Sequence, residues 1–184
     1  VFNLQLQKNL IGDFIGASVN SAAQQFISCG SSTGKLQSSN LLDWSTLWFE
    51  DPVGSTYPCF RGFNSNRDYF FVGYNAGFIK AYAVGGAVIC NAAVEAGVYY
   101  PLQLGVSSNF MLSEQAAFLS GARKLVLYNF PSGNDIQEMP FTGNVVSIFP
   151  ALANDFFVFY NVLGQGKISL YSKVSNGLTY TFPS

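Results

Sequence analysis

The stretch Asp155 to Phe182, DFFVFYNVLGQGKISLYSKVSNGLTYTF, limits the possible folds of this chain more than any other. Phe156-Phe157-Val158-Phe159-Tyr160 is an aromatic and β-branched run suited to a pleated, half-buried surface. Asn161 to Gly166 then holds Gly164 and Gly166, which supply the positive-φ conformations that a chain reversal needs. Lys167 to Tyr171 alternates, with Ile168 and Leu170 on one face and Lys167, Ser169 and Tyr171 on the other, which is the two-residue period of a strand. Asn176-Gly177 is the dipeptide most at ease in a type I′ hairpin turn, and Leu178 to Phe182 alternates again. An antiparallel three-strand meander is the predicted outcome.

Weaker copies of the stretch recur upstream. Phe157 is matched by Phe118 in AAFLSG, Phe71 in YFFVGY and Phe26 in QQFISCG, at successive separations of 45, 47 and 39 residues counted from the first. Phe14, Phe60, Phe110 and Phe149 each lie in a short apolar segment 8 to 12 residues before the matching member of that set, with turn-forming residues between. Lys124-Leu125-Val126-Leu127-Tyr128 mirrors Lys167 to Tyr171, and Phe78-Ile79-Lys80-Ala81-Tyr82 is a looser copy. Each unit therefore holds about four strands, at the period of roughly 40–50 residues that sheet-by-sheet repeats show.

Segments such as YFFVGYNAGFIKAYAV and FLSGARKLVLYNFPSGNDIQ resemble β-propeller blades of the WD-repeat-like or a related kind, in which a glycine-containing turn separates two inner strands. The likeness covers nearly the whole chain and implies architecture alone. There is no Gly-His followed by Trp-Asp, since the chain has no histidine, and Gly85-Gly86 is isolated where a kelch repeat would show a double glycine in every blade. The implied fold class is all-β, a β-propeller-like arc of about four antiparallel four-stranded blades within a larger propeller. The units run over 10–53, 54–105, 106–143 and 144–184, with 1–9 as the outer strand of a preceding blade. Four units and a spare strand do not close neatly, so an open arc is expected, completed by the remainder of a longer chain or by other protein subunits.

Composition narrows the setting. Hydrophobic residues make up 49% and aromatics 16% of the 184 residues, which excludes disorder. Charged residues are only 10%, against about 25% in an ordinary soluble domain. A surface so poor in charge is weakly protected against association, which points to an extracellular or cell-surface protein or to a cytoplasmic assembly whose faces are covered by neighbours. The chain opens on Val1 with neither an initiator methionine nor a signal-peptide pattern, so a removed leader or a longer parent chain is the expectation. Net charge is −1, with nine basic and ten acidic residues scattered singly, and no basic stripe exists to track nucleic-acid phosphates. Apolar runs stop short of the roughly 18 residues that a spanning helix requires.

Motifs for chemistry are sparse. Without histidine there is no Ser/His triad, no His-based zinc site and no imidazole base. Cys29, Cys59 and Cys90 lack metal-ligand spacing; they read as buried strand thiols, or as one disulfide plus a thiol if the chain is exported. The carboxylates fall in no recognisable pair for glycoside hydrolysis and read as turn residues, Asp68 and Asp155 both preceding a second strand. Gly73 to Gly77 and Gly164 to Lys167 are followed by strands, so no helix N-terminus is there to hold a phosphate. No Asn-x-Ser/Thr acceptor occurs.

Among the aromatics, Trp44, Trp48, Tyr99 and Tyr100 lie near unit edges and are the least core-like, hence candidates for an interface or for stacking on a sugar ring. No catalytic, cofactor-binding or metal-ligating residue is assigned. The sequence reading is a non-enzymatic structural or protein-interaction module within a larger assembly, using propeller faces and edges as its binding surface. A carbohydrate-binding propeller is the second reading and a propeller-fold glycoside hydrolase the third.

Overall fold

Every regular element among the described residues of the structure, a computed structural model, is a β-strand. The residues described are 14–30, 35–51, 58–63, 68–95, 97–151, 155–171 and 178–180. The strand expected over 1–9 and the Asn176-Gly177 turn lie outside them. Sheet one consists of β1 (Phe14–Asn20), β2 (Gln25–Gly30), β3 (Leu36–Asn40) and β4 (Thr46–Glu50). Sheet two holds β5 (Pro58–Phe63), β6 (Tyr69–Tyr74), β7 (Phe78–Ala83) and β8 (Val88–Ala93). Sheet three holds β9 (Tyr99–Val106), β10 (Phe110–Ala117), β11 (Arg123–Asn129) and β12 (Asp135–Phe141). Sheet four holds β13 (Asn144–Pro150), β14 (Phe156–Val162), β15 (Gln165–Tyr171) and β16 (Leu178–Tyr180). Each sheet is an antiparallel meander with its strands in sequence order.

Three apolar cores hold the sheets together, each built from the facing sides of two successive sheets. Ile27, Cys29 and Leu36 of sheet one meet Phe70, Val72, Tyr74 and Tyr82 of sheet two. The opposite side of sheet two, with Phe71, Ile79 and Ala81, meets Val106, Met111, Val126 and Tyr128 of sheet three. Sheet three in turn places Phe110, Leu112, Leu125 and Leu127 against Val145, Ile148, Phe156, Val158 and Tyr160 of sheet four. No such core joins sheet four to sheet one among the described residues.

Radial order follows from exposure. First strands touch one another in succession, β1 with β5, β5 with β9 and β9 with β13, so they gather on the inner side. Second strands are the most buried, β10 without interruption from Phe110 to Ala117. Fourth strands are the most open, β12 being exposed along most of its length. Four sheets fanned in sequence with first strands inward make a propeller-like arc.

Much of the predicted repeat is in place. Phe71 and Phe157 occupy equivalent second strands, and Lys124 to Tyr128, Phe78 to Tyr82 and Lys167 to Tyr171 are all third strands. Two matches need correction. Phe118 follows β10 in a turn and is 45% exposed, while Phe110, expected in a first strand, sits in the second strand β10. The first strand of sheet three is instead β9, all of which except Val106 falls inside the segment assigned to the second unit (54–105). Pro101 and Gly105 disguise it: both are weak strand residues, tolerated here because a bulge at β9 leaves Leu102 out of register between Pro101 and Gln103. Phe26 is in β2 but on the face away from Ile27 and Cys29, one residue out of phase with Phe71, and a one-residue slip reverses every side chain.

Close approach of the inner strands is visible at Gly105, where an added Cβ would stand 2.4 Å from Ile148 Cγ2. Gly105→Ala should therefore be destabilising alone. In combination with Ile148→Ala, urea denaturation should return a favourable coupling of roughly 0.5–3 kcal/mol, and strict additivity of the two losses would contradict the packing described.

Candidate functional site

Polar groups that face a neighbouring sheet are used to bridge it. From sheet one, Gln25 Nε2 donates to Val84 O at 2.8 Å and Trp48 Nε1 donates to the same oxygen at 2.9 Å. Glu50, at the end of β4, accepts from Lys80 Nζ at 3.0 Å and from the Tyr82 hydroxyl at 3.5 Å. From sheet three, the Tyr128 hydroxyl accepts from Gln115 Nε2 at 2.6 Å and donates to Ala93 O of sheet two at 3.3 Å. Glu114 carries the bridge to sheet four: its carboxylate accepts the Val145 backbone N–H at 3.3 Å and pairs with Arg123.

Burial sets the protonation of these groups. It pushes the Tyr74 and Tyr82 phenols well above their ordinary value, helped by the Tyr82 and Glu50 neighbours respectively, and raises Tyr128 to about 12. All three are O–H donors at neutral pH. Cys90 is likewise pushed up to about 11 by burial, so its thiol is protonated and unreactive. Cys29 and Cys90 are both buried in strands and not joined by a disulfide; the Cys59 side chain lies outside the described residues. Glu114 is 1% exposed, and burial raises its carboxyl despite the opposing Arg123 and Val145 bonds, while Oε2 is buried without a partner.

The aromatic candidates from the sequence do not gather at one place. Trp44 and Trp48 belong to sheet one, and Tyr99 and Tyr100 open the first strand of sheet three. Trp48 stacks on Tyr82 at 5.6 Å and covers Gly86, where an added Cβ would meet the indole at 2.7 Å. Trp44 meets Phe26 edge-on at 5.7 Å. Lys124 Nζ stands 4.1 Å from the centre of the Tyr99 ring while bonding Glu138 at 2.7 Å and facing Glu95 at 3.6 Å. Tyr100 packs on Phe118 at 4.7 Å.

Two recesses lie around sheet four. One, of about 470 Å³, opens where the β10–β11 turn, the β12–β13 link and the β14–β15 turn meet, with Arg123, Asn144 and Asn161 among its walls. The other, of about 380 Å³, lies by Val146, Phe159 and Lys167. Among the described residues no three His, Cys, Asp or Glu side chains gather in a metal-binding group, and no helix is long and apolar enough to cross a membrane.

What sequence reasoning missed is the outer side of sheet four. Phe149, Phe157 and Phe159 are 53%, 37% and 37% exposed, with Phe149 edge-on to Phe159 at 5.8 Å. Ile168 and Leu170 lie beside them by strand pairing and are half-buried. Alternation along β14 was the available signal, since Phe157 and Phe159 share the face opposite Phe156, Val158 and Tyr160.

No family model and no curated protein matches the sequence. Solved structures do match, 575 chains in all, which marks a widely used architecture. One is a chain of Kuenenia stuttgartiensis hydrazine synthase, similar over 91% of this chain and 53% of that one, with a TM-score of 0.68 and 10% identity. The likeness is one of fold. This chain spans about half the length of that one, and the match agrees with four fanned sheets. The WD-repeat kinship, unsupported by any family model, goes no further than strand layout.

Glu114 supplies a test of the bridge to sheet four. A carboxyl raised above its unfolded value of 4.5 binds its proton more tightly in the folded chain, so its contribution favours folding below 4.5 and is lost as pH rises through the folded value. Stability measured by denaturant titration should therefore fall with rising pH across that window in the parent. In Glu114→Gln that component of the slope should vanish, and an unchanged slope would refute the assignment.

Proposed function

We propose that this chain is a non-enzymatic structural and protein-interaction module of a larger assembly, binding through the faces and edges of its sheets. The observation that carries the reading is the outer side of sheet four, a flat apolar surface formed by Phe149, Phe157, Phe159, Ile168 and Leu170. Contiguous apolar surface of this kind marks a contact site in a soluble protein. Its setting adds support, because a chain with 10% charged residues has little to keep such a face apart from others. The propeller-like fold is compatible with interaction roles of many kinds.

Two further observations favour binding by surfaces over chemistry. The described buried polar side chains Gln25, Gln115 and Glu114 are engaged in bonds within or between sheets. Trp44, Trp48, Tyr99 and Tyr100 each pack against another side chain of the same chain, so none is set apart as a platform for a sugar ring.

The double substitution Phe157→Ser with Phe159→Ser separates contact from core. The isolated parent should bind a hydrophobic dye at this face and the variant should lose that binding, at a stability cost of about 2 kcal/mol or less. Phe71→Ala, in the same strand position but buried at 2% exposure, should cost roughly 3–5 kcal/mol. Equal dye binding by the parent and the variant would count against the reading.

A further inference from the structure

The second and third strands of sheets two, three and four superimpose residue by residue through their pairing. Phe70 pairs with Tyr82, Met111 with Tyr128 and Phe156 with Tyr171, and in each case the pair faces the preceding sheet. One residue further along, the outward set begins. It is Phe71, Ile79 and Ala81 in sheet two; Leu112, Leu125 and Leu127 in sheet three; and Phe157, Ile168 and Leu170 in sheet four.

The first two sets are covered by the sheet that follows. Phe71, Ile79 and Ala81 are 2%, 0% and 0% exposed beneath sheet three, and Leu112, Leu125 and Leu127 are 1%, 0% and 8% exposed beneath sheet four. The third set has the same chemistry at the same register, yet Phe157 is 37% exposed and Ile168 and Leu170 are half-buried. The two covered sets are roofed by similar residues, from the first three strands of the following sheet: Val106, Met111 and Tyr128 in one case, Val145, Phe156 and Tyr171 in the other.

From this repetition we infer that the outer side of sheet four seats a fifth four-stranded antiparallel sheet, stacked as sheet three stacks on sheet two and contributed by a sequence other than a second copy of these 184 residues. The inference rests on the interaction-module reading above and names its partner. The fifth sheet presents a β-branched residue from a first strand beside β13, and large apolar residues from its second and third strands over Phe157 and Ile168.

A second copy is disfavoured by the far side of sheet one, which head-to-tail closure would bring against sheet four. At the centre of that side Phe26, Ser28, Gln37 and Ser39 are 9%, 4%, 7% and 0% exposed, while Val19 and Phe49 on its outermost strands are 50% and 45% exposed. That centre is also largely polar and bonded to itself, Ser28 Oγ donating to Gln37 O at 3.3 Å and Gln37 Nε2 donating to Ser39 Oγ at 3.1 Å. Such a side leaves a second copy only the separated Val19 and Phe49, with a closed polar centre between them, to set against three large apolar side chains.

Hydroxyl-radical footprinting tests the inference, carried out on the protein isolated in its native assembly and again on the purified chain. Phe157 and Phe159 should be oxidised in the purified chain and lose that oxidation in the assembly, with Phe71 silent in both. A Phe159→Cys variant labelled with a maleimide benzophenone and assembled in the same way identifies the cover by mass spectrometry of the cross-linked peptide. A peptide from a strand of a different four-stranded sheet is the expected result. A cross-link to a second copy of this chain, or to a helix, overturns the fifth sheet while leaving an occupied interaction face. Equal oxidation of Phe157 in both preparations overturns the fifth sheet and the interaction reading together.

Discussion

Face-to-face burial of flat sheets is the constraint from which the rest of this structure follows. A sheet in the middle of a stack has no solvent side, so its central strands must carry apolar side chains or polar ones that find partners on both faces, and β6 and β10 are buried almost end to end for that reason. The size of the effect decides its primacy. Burying one Phe, Leu or Ile side chain contributes about 1.5–3 kcal/mol, and each of the three cores contains several. A net intramolecular hydrogen bond contributes about 1 kcal/mol, so the inter-sheet polar bonds are secondary in energy. Strand order then sets the gradient: first strands meet at the inner side, and fourth strands, packed least, carry the exposed and polar residues.

The polar bonds decide something that apolar packing leaves loose. Two flat greasy faces slide against each other at little cost, whereas a side chain bonded to one particular carbonyl or N–H of the next sheet fixes the offset. Val84 O receives both Gln25 and Trp48, Ala93 O receives Tyr128, and the Val145 N–H is held by Glu114. Burial keeps the phenol of Tyr128 protonated and so preserves it as a donor across the neutral range. Glu114 is the expensive member. Its carboxyl is desolvated with one oxygen unpartnered, a cost offset by Arg123 and by the backbone bond it makes across the interface.

Sheet count and strand type were legible in the sequence because alternation, Gly-containing turns and the Lys-to-Tyr third strands are local signals that each sheet repeats. Asp155 to Tyr171 could be read strand by strand, as could Tyr69 to Ala83. Phenylalanine spacing alone was a weaker guide. It selects for ring size and ignores which face a ring occupies, so Phe26 was aligned with Phe71 although the two point to opposite sides of their sheets. In sheet three the equivalent outward position is filled by Leu112, which a search for phenylalanine passes over, and Phe118 took its place. The strand β9 was hidden by Pro101 and Gly105, residues whose tolerance depends on a bulge and on Ile148 pressing in from the neighbouring sheet. The inter-sheet bonds were illegible for a plainer reason: Gln25, Tyr128 and Glu114 acquire their partners across the interface only once two sheets are face to face.

The two ends of the stack differ, and that difference gives the arc a direction. The far side of sheet one is closed and polar at its centre, with Ser28, Gln37 and Ser39 bonded among themselves, and its exposed apolar residues Val19 and Phe49 stand apart on the outermost strands. The far side of sheet four is aromatic and open, and it repeats in register the outward sets that sheets two and three have covered. In a quasi-one-dimensional stack each sheet is stabilised through its nearest neighbours, so an end is comfortable only when its outer face is polar or capped. The centre of sheet one's outer face meets that condition, whereas sheet four retains the face of an interior member. An interior face at the end of a stack is stabilised by whatever continues the stack, which is why we propose the outer side of sheet four, and not a cleft or a cluster of charges, as the place of this chain's principal contact.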